Sequence, residues 1–367
     1  MSARIIATYH VTADAASIEA RARGIAVEQS VEMPVEGIDD PVVLNGIVGR
    51  VDEIREITPG RYRVRIGLAT ETVGGDAGQL FNMLFGNTSI QEGVDLADAD
   101  LPDAILAAHP GPNIGTPGLR ARTGAHGRAL TCGALKPQGL PPEGLASLAG
   151  RMAAGGIDLI KDDHGLADQP YSPFTHRVDR IAEALDQVAA RSGKRTLYIP
   201  SLSGNLDAMR GQIRHAISRG VDAFLIAPIV AGIPTFATLV REFPACAFMT
   251  HPTLSGIARI APPLFYGKLF RLLGADAVVY PNHGGRFGYS TATCLELAEN
   301  CRADWAGKLP CLPTPAGGMT TARIPEMLDF YGADTILLIG GALLATRERL
   351  TREVAAFAAA VAAHRYS

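Results

Sequence analysis

Residues able to do chemistry end several short apolar runs of this sequence. Lys136 ends one run, the segment 161–164 (Lys-Asp-Asp-His) ends the next, and His251 ends a later one. Carboxylates bind hard cations such as Mg²⁺, histidine binds softer metals or moves protons, and a desolvated lysine acts as a base. Any one of these residues alone is usually solvated or structural. Their shared placement after apolar runs instead indicates a site that binds a metal and moves a proton.

Two glycine pairs have a separate chemical meaning. Gly317-Gly318 and Gly340-Gly341 each follow an apolar run, and a helix is expected to begin at Ala342. Without Cβ atoms, backbone N–H groups approach phosphate oxygens closely, and a helix start adds a favourable dipole. The Gly-x-x-x-x-Gly-Lys-Ser/Thr pattern does not occur in the sequence. We therefore expect phosphate-binding turns and not a nucleotide P-loop.

The apolar runs are spaced like the strands of a barrel. Eight of them occupy 130–136, 157–162, 196–200, 223–228, 247–251, 277–281, 309–314 and 335–339. Helices are predicted at 143–154, 177–191, 206–219, 263–273, 324–331 and 347–363. This alternation predicts right-handed β-α units and a parallel sheet. Eight units favour a closed (β/α)₈ TIM barrel, with an open doubly wound sheet as the alternative. In such a barrel the active site lies at the C-terminal ends of the strands, where the polar residues would meet.

The first part of the chain has a different pattern, typical of an α+β domain. Strands are predicted at 4–11 and 61–68, and helices at 13–23 and 78–85. The segment 107–127 is rich in Gly and Pro, has no periodic run, and is predicted to be the passage between domains. We therefore expect an N-terminal α+β domain at 1–112 and a barrel with a C-terminal helix at 113–367.

Charge and composition argue against a nucleic-acid-binding, membrane or disulfide-bonded protein. The formal net charge of −3 offers no basic surplus for nucleic acid or an anionic membrane. The start of the chain has no signal-peptide pattern, and no apolar stretch reaches the roughly 18 residues of a membrane span. The five cysteines are scattered and form no Cys-x-x-Cys pair. We expect a cytoplasmic enzyme without disulfides.

The segment 155–164 resembles the active-site signature of the RuBisCO superfamily, Gly-x-Asp-Phe-x-Lys-x-Asp-Glu. Gly156, Asp158, Lys161 and Asp163 match that signature. The resemblance implies that Lys161 reacts with CO₂ to form a carbamate, which supplies an anionic oxygen to Mg²⁺. Asp163 would be the second ligand. The third ligand is Glu in the family and His164 here, so the identity of the metal is left open.

Other parts of the chain extend the resemblance. The segment 133–137 (Gly-Ala-Leu-Lys-Pro) resembles the motif whose lysine, here Lys136, handles the substrate proton. His251 falls where the family keeps an active-site histidine, and the two glycine pairs resemble its phosphate-binding turns. Asn87 and Glu28 lie in stretches that resemble those supplying an asparagine and a glutamate to the neighbouring subunit. A homodimer with shared active sites is therefore implied.

Departures from the family pattern argue against carbon fixation. Gln138 stands where the carboxylases have a second lysine, and Pro252 stands where an arginine clamps one substrate phosphate. The loop 282–288 carries Arg286 where carboxylases have the lysine that steadies CO₂, and arginine does not replace a buried lysine. These changes resemble the RuBisCO-like branch and imply a substrate with a single phosphate.

The residues that remain suffice for enolisation of a phosphorylated sugar. Lys136 is the candidate base, His251 and Asn87 would guide the proton or the oxygen, and Arg286 would close over the site. The resemblance favours an isomerase of 5-methylthioribulose 1-phosphate in methionine salvage. One alternative is a decarboxylase or hydrolase of an oxo sugar-acid phosphate that uses the same enolate. Another is a non-catalytic sugar-phosphate sensor.

Overall fold

The computed structural model describes residues 3–285 and 288–366, so the predicted site residue Arg286 lies outside the described residues. The chain forms two compact units. The N-terminal unit comprises Met1–Pro110 and Leu254–Phe265, and the barrel unit comprises Gly111–Thr253 and Tyr266–Ser367.

The N-terminal unit is built on an antiparallel sheet of order β2-β3-β1-β4. Its strands are Arg4–Thr12 (β1), Arg50–Thr58 (β2), Arg61–Ala69 (β3) and Val94–Asp100 (β4). Alternate residues of β1 are buried, which directs one face of the sheet toward the core of the unit. The helices of the unit are Ile18–Glu28 (α1), Ala77–Phe85 (α2) and Asp103–Ala108 (α3), with a π-helical turn at Val43–Ile47.

Among its described residues, the barrel unit contains eight parallel strands. They are Leu130–Leu135 (β5), Leu159–Asp162 (β6), Leu197–Ile199 (β7), Ala223–Ile226 (β8), Ala247–Thr250 (β9), Ala277–Pro281 (β10), Leu312–Ala316 (β11) and Ile336–Ile339 (β12). Strands pair in the orders β12-β5-β6-β7 and β8-β9-β10-β11. Backbone hydrogen bonds from Leu225 to Pro200 and from Leu202 to Leu225 join β7 to β8, and Thr335 Oγ1 donates to the Pro313 carbonyl between β12 and β11. These links close the predicted barrel.

Helices surround the strands of the barrel unit. They are Gly115–Thr123 (α4), Pro142–Ala154 (α5), Phe174–Ser192 (α6), Leu206–Ser218 (α7), Pro228–Ala231 (α8), Ile233–Glu242 (α9), Thr291–Arg302 (α10), Ile324–Tyr331 (α11), Gly341–Leu344 (α12) and Leu350–Ala363 (α13). A π-helical segment spans Pro263–Phe270. Across the described residues, no helix has the length and apolar character needed to cross a membrane.

The two ends of strand β6 serve different purposes. At its N-terminal end, Asp158 is fully buried and accepts hydrogen bonds from Arg128, at 2.7 and 2.9 Å, and from Lys194, at 2.8 Å. Thr131 also donates to it, through both its backbone N–H and its hydroxyl. Residues at the N-terminal ends of barrel strands usually stabilise the fold, whereas the active site lies at the C-terminal ends. Asp158 therefore belongs to the scaffold, although it lies in the same sequence motif as Lys161.

The structure differs from the sequence prediction in several elements. The segment 107–127, predicted to lack a periodic run, contains the whole of α4, and α1 begins five residues later than the predicted helix at 13–23. The sequence pattern also missed β2, β4, α9 and α10. The predicted helix at 263–273 is a π-helix over Pro263–Phe270.

The division between the units also differs from the predicted boundary at residue 112. It falls at Pro110, and the segment Leu254–Phe265, predicted as barrel, groups with the N-terminal unit. Backbone hydrogen bonds explain this grouping. The Leu96 N–H donates to the Arg259 carbonyl at 2.9 Å, and the Ala261 N–H donates to the Leu96 carbonyl at 2.8 Å. The segment thereby pairs with β4.

Candidate active site

Five residues predicted from the sequence meet at the C-terminal ends of the barrel strands. Lys136 follows β5, Lys161 lies in β6, Asp163 and His164 follow β6, and His251 follows β9. Lys136 Nζ lies 2.7 Å from Asp163 Oδ1, and His164 Nδ1 lies 3.5 Å from the same oxygen. The rings of His164 and His251 stack with centroids 4.3 Å apart. The structure thus brings together the lysine, carboxylate and imidazole groups that the sequence placed at one rim.

Lys161 is the most enclosed member of this cluster. Its exposed fraction is 2%, and its Nζ donates to the Asp162 carbonyl at 2.8 Å. Burial lowers the pKa of the Lys161 ammonium, although the negative charge of Asp163 opposes this change. Since CO₂ reacts with the neutral amine, this environment favours the chemistry of carbamate formation.

Asp163 is the negative centre of the cluster. Burial alone would raise the pKa of Asp163, but hydrogen bonds from His164 and Lys136, and the charges of Lys136 and Lys161, hold it below its ordinary value. The carboxylate is therefore ionised throughout the neutral range. An ionised carboxylate is the form that binds a divalent cation.

His251 is held as a neutral imidazole. Burial, followed by the nearby charge of Lys161, lowers the pKa of His251 to about 2. Its Nδ1 lies 2.6 Å from Thr253 Oγ1, which leaves Nε2 for another partner. Thr253 was not predicted from the sequence, although a hydroxyl two residues after a histidine is close enough in the chain to suggest a hydrogen bond to its ring. His251 can therefore exchange hydrogen bonds with a substrate but cannot supply a positive charge near neutral pH.

The donor set of the cluster fits a divalent cation under one condition. Among the described residues, no group of three or more His, Cys, Asp or Glu side chains is arranged to hold a metal. Asp163 and His164 supply two donors, and the Lys161 ammonium has no lone pair to offer. A carbamate on Lys161 would add an anionic oxygen and complete a set of three. The residues therefore fit the cation together with the lysine modification, and not without it.

The glycine turns surround open space at the same rim. A Cβ atom added to Gly317 or Gly341 would meet no other described atom within 4 Å. Gly317 and Gly318 have φ of +85° and +69°, a conformation that favours glycine. A Cβ at Gly340 would lie 3.7 Å from Lys136 Cε. The Gly340-Gly341 turn therefore places room for a small anion close to the candidate base.

The helix after the second turn begins at Gly341, one residue before the predicted start at Ala342. It spans only four residues, so its dipole contributes little.

Glu28 and Asn87 lie in the N-terminal unit, where Asn87 Nδ2 donates to Glu28 Oε1 at 2.9 Å. The adjacent Gln29 is 2% exposed, and its structural role was not predicted from the sequence. Its Nε2 donates to the Met83 carbonyl at 2.8 Å, and its Oε1 accepts from the Thr88 N–H at 3.2 Å. These bonds fix the end of α1 against the segment that carries Asn87.

Comparisons with known proteins place the chain among relatives of similar sequence and fold. The sequence model of the ribulose bisphosphate carboxylase large chain, catalytic domain, matches residues 115–279. The chain is 62% identical to the 5-methylthioribulose-1-phosphate isomerase of Rhodospirillum rubrum over 99% of this chain and 97% of that protein. The 2,3-diketo-5-methylthiopentyl-1-phosphate enolase of Geobacillus kaustophilus is 32% identical over 77% of this chain and 70% of that protein. The crystal structure of a Rubisco-like protein from Rhodopseudomonas palustris superposes with a TM-score of 0.93 at 49% identity, covering 100% of both chains.

Proposed function

Since this chain belongs to the RuBisCO large-chain family, among its RuBisCO-like members, we propose that it isomerises 5-methylthioribulose 1-phosphate in methionine salvage. The observation that carries the substrate assignment is the 62% identity to the Rhodospirillum rubrum isomerase over nearly the whole chain. The cluster of Lys136, Asp163 and His251 supports the reaction class, which is proton transfer next to a carbonyl. Gln138 and Pro252, at positions where carboxylases have cations, support a function other than carbon fixation.

The phosphate of this substrate is proposed to bind beside the residue that moves the proton. In a 2-ketose 1-phosphate, the phosphate lies a few bonds from the carbonyl. The turns at Gly317-Gly318 and Gly340-Gly341 would bind that phosphate through backbone N–H groups. Because Gly340 lies beside Lys136 Cε, the bound phosphate places the carbons next to the carbonyl near Lys136 Nζ.

Lys136 is the residue proposed to move the proton. As the free amine it takes a proton from the carbon beside the carbonyl, and as the resulting ammonium it returns the proton to the former carbonyl carbon, so the isomerisation needs no oxidant or reductant. The Lys136 side chain is 39% exposed, which lets its nitrogen reach a substrate bound at the rim. His251 Nε2, with its ring fixed by Thr253, would hydrogen-bond a substrate hydroxyl or the carbonyl oxygen.

The cofactors proposed are a divalent metal, Mg²⁺ by preference, and CO₂ as the Lys161 carbamate. Lys161, Asp163 and His164 would hold the metal. When bound, a divalent cation acts as a Lewis acid and stabilises negative charge on the substrate oxygens. Because Lys161 is enclosed, its carbamate would be protected from water.

The Glu28–Asn87 pair is proposed to act in the active site of a second copy of the chain, in a homodimer. The hydrogen bond between their side chains supports a joint role. Mixing inactive Glu28→Gln subunits with inactive Lys161→Ala subunits tests this. Mixed dimers recover part of the activity if the site is shared, and recover none if each chain forms its own site.

Product analysis tests the proposed function. The protein, supplied with Mg²⁺ and bicarbonate, is incubated separately with 5-methylthioribulose 1-phosphate, the 2,3-diketo phosphate of the enolase relative, and an oxo sugar-acid phosphate. Phosphorus NMR and mass spectrometry identify the products. The proposal expects an isomeric pentulose phosphate of unchanged mass from the first compound. Turnover of the diketo phosphate alone would assign the enolase reaction instead, and release of CO₂ or inorganic phosphate from the third would assign the decarboxylase or hydrolase.

A further inference from the structure

Asp162 lies between Lys161 and Asp163, two of the three residues proposed as metal ligands, yet its side chain has a different environment. Successive side chains of a strand point to opposite faces, so Asp162 points away from the face of Lys161. Asp163, which follows the strand, contacts Lys136 instead. Asp162 is fully buried. A buried carboxylate requires several hydrogen bonds to remain ionised, and its partners are therefore informative.

The partners of Asp162 come from two neighbouring segments. Tyr198 Oη, on β7, donates to Asp162 Oδ1 at 2.8 Å, and the Ser201 N–H donates to Oδ2 at 3.1 Å. Arg177 Nε, in the first turn of α6, donates to Oδ2 at 3.1 Å. The side chains of Arg177 and Asp162 are both 0% exposed. The carboxylate thus joins β6 to β7 and to α6.

Arg177 is itself held in place by the segment that leads from β6 to α6. Its Nη1 donates to the Ser172 carbonyl at 2.6 Å, and its guanidinium lies 5.5 Å from the centroid of the Phe174 ring. The loop that starts at Asp163 and the strand that contains Lys161 are therefore tied to one buried charge pair. Arg177 therefore connects Asp162, which is adjacent to both Lys161 and Asp163, to Ser172 in the loop that follows them.

Fold stability alone does not explain a buried ion pair at this position. Desolvation of two charges offsets most of their attraction, and apolar replacements of a buried pair are often as stable. A hydrogen-bonded pair does, however, impose one geometry on the segments that it joins. Residues that orient metal ligands in this way commonly increase the affinity of the site for the metal.

We propose that Asp162, Arg177 and Tyr198 form a positioning triad that orients Lys161 and Asp163 for metal binding. This inference rests on the metal site of the proposed function. The Asp162 carboxylate is occupied by its bonds to Arg177 and Tyr198, so we assign the three as positioning residues and not catalytic ones. Removing the Tyr198 hydroxyl should weaken metal binding about tenfold, and removing the charge of Asp162 should weaken it up to roughly a hundredfold.

The other end of the same strand supplies a matched control. Asp158 is also fully buried and paired with cations, Arg128 and Lys194, but it lies at the N-terminal end of β6. Asp158→Asn and Asp162→Asn therefore each remove one buried carboxylate charge, the first just before the start of β6 and the second at its end. A purely structural role predicts equal effects on metal binding at equal loss of thermal stability, whereas a positioning role predicts an effect for Asp162 only.

The test titrates Mn²⁺ into the full-length wild type, Tyr198→Phe, Asp162→Asn and Asp158→Asn, each with bicarbonate. Electron paramagnetic resonance measures free Mn²⁺, ¹³C NMR with labelled bicarbonate detects the carbamate, and calorimetry gives Tm. Weaker Mn²⁺ binding in Tyr198→Phe and Asp162→Asn, with wild-type affinity in folded Asp158→Asn, is expected. Tyr198→Phe keeps the ring and decides the matter if Asp162→Asn does not fold.

Two results would overturn the triad. One is wild-type Mn²⁺ affinity in Tyr198→Phe, and the other is equal weakening in Asp158→Asn and Asp162→Asn at matched Tm. In both, the wild type still binds Mn²⁺, so the proposed function stands. Failure of the wild type to bind Mn²⁺ or to form a carbamate would instead overturn the proposed metal site, and the triad with it.

Discussion

The imidazole rings of His164 and His251 stack nearly in parallel, 4.3 Å apart at an interplanar angle of 12°, although they follow strands β6 and β9, which are not neighbours. This contact spans the mouth of the barrel. It places a candidate metal ligand directly against a residue proposed to contact the substrate. The orientation of either ring therefore depends on the other.

The metal preference of the site is predicted to depend on His164. Replacing His164 with Glu gives the ligand found in the carboxylases, and a carboxylate favours Mg²⁺ over softer metals more than an imidazole does. His164→Glu should therefore raise the ratio of Mg²⁺-supported to Co²⁺-supported kcat/KM, with His164→Gln as the uncharged control. An unchanged ratio in both variants would show that His164 is not a ligand.

Lys136 is predicted to be essential for proton transfer and dispensable for metal binding. Lys136→Met keeps the length of the side chain but removes the amine, so hydrogen exchange with solvent should fall by about 10²- to 10⁴-fold. Lys136→Arg keeps a cation beside Asp163 but removes the base, and it should be similarly slow. Exchange rates measured by NMR in D₂O check this, and Mn²⁺ titration verifies that the site is intact. Near-normal exchange in Lys136→Met would assign the base to another residue.

Thr253 is predicted to position His251. Thr253→Val removes the 2.6 Å hydrogen bond to Nδ1 at nearly constant volume, so kcat should fall about tenfold, the effect of roughly one hydrogen bond. KM should change little. Thr253→Ser should restore the rate, and ¹⁵N NMR of the His251 ring should show a defined Nδ1 partner in wild type and Ser but not in Val. The same ring spectrum in all three proteins would argue against a positioning role.

Asp158 is predicted to stabilise the fold in a pH-dependent way. Burial would raise the pKa of Asp158, but hydrogen bonds from Arg128 and Lys194 outweigh burial and hold it at about 2, below its ordinary 3.8. The folded state therefore favours the ionised form, and this stabilisation is complete above the unfolded pKa and is lost as pH falls through 4 toward 2. The difference corresponds to about 2 kcal/mol of unfolding free energy.

Urea unfolding of wild type and Asp158→Asn tests that prediction. The two proteins should differ most near pH 7 and should converge as the pH approaches 2.5. A gap that is constant with pH would show that the ionisation of Asp158 makes no contribution and that the variant loses only packing or neutral hydrogen bonds.

Much of the barrel could be predicted from local pattern. Every residue of β5, which precedes Lys136, is buried, and the turns after such strands carry the polar residues. The edge strand β2 of the N-terminal unit is half exposed and its buried and exposed residues do not alternate clearly. The alternation of apolar and polar residues that predicts a strand is therefore missing there. The segment Leu254–Phe265 was misplaced because its grouping depends on pairing with β4, more than a hundred residues earlier in the chain.

The cluster itself was predictable, but its supporting contacts were not. The positions of Lys136, Lys161 and His251 could be predicted because each lies at the C-terminal end of a predicted strand. The bonds from Arg177 and Tyr198 to Asp162 join residues 15 and 36 positions apart, which no local pattern encodes. One signal was present in the sequence. Arg177 lies on the apolar stripe of α6 with Phe174, Val178 and Ile181, and an arginine there must find a buried partner.

The protein is proposed to enolise a phosphorylated ketose at a site that depends on Lys161. Proton NMR of 5-methylthioribulose 1-phosphate in D₂O, with Mg²⁺ and bicarbonate, tests it in wild type beside Lys161→Ala. We predict deuterium incorporation next to the carbonyl together with a rearranged methylthio-pentulose phosphate, both only in wild type. Deuterium incorporation without a new product would retain enolisation and redirect the search to sugar-acid phosphates. No exchange with any phosphorylated ketose would contradict the account and favour a non-catalytic sugar-phosphate sensor.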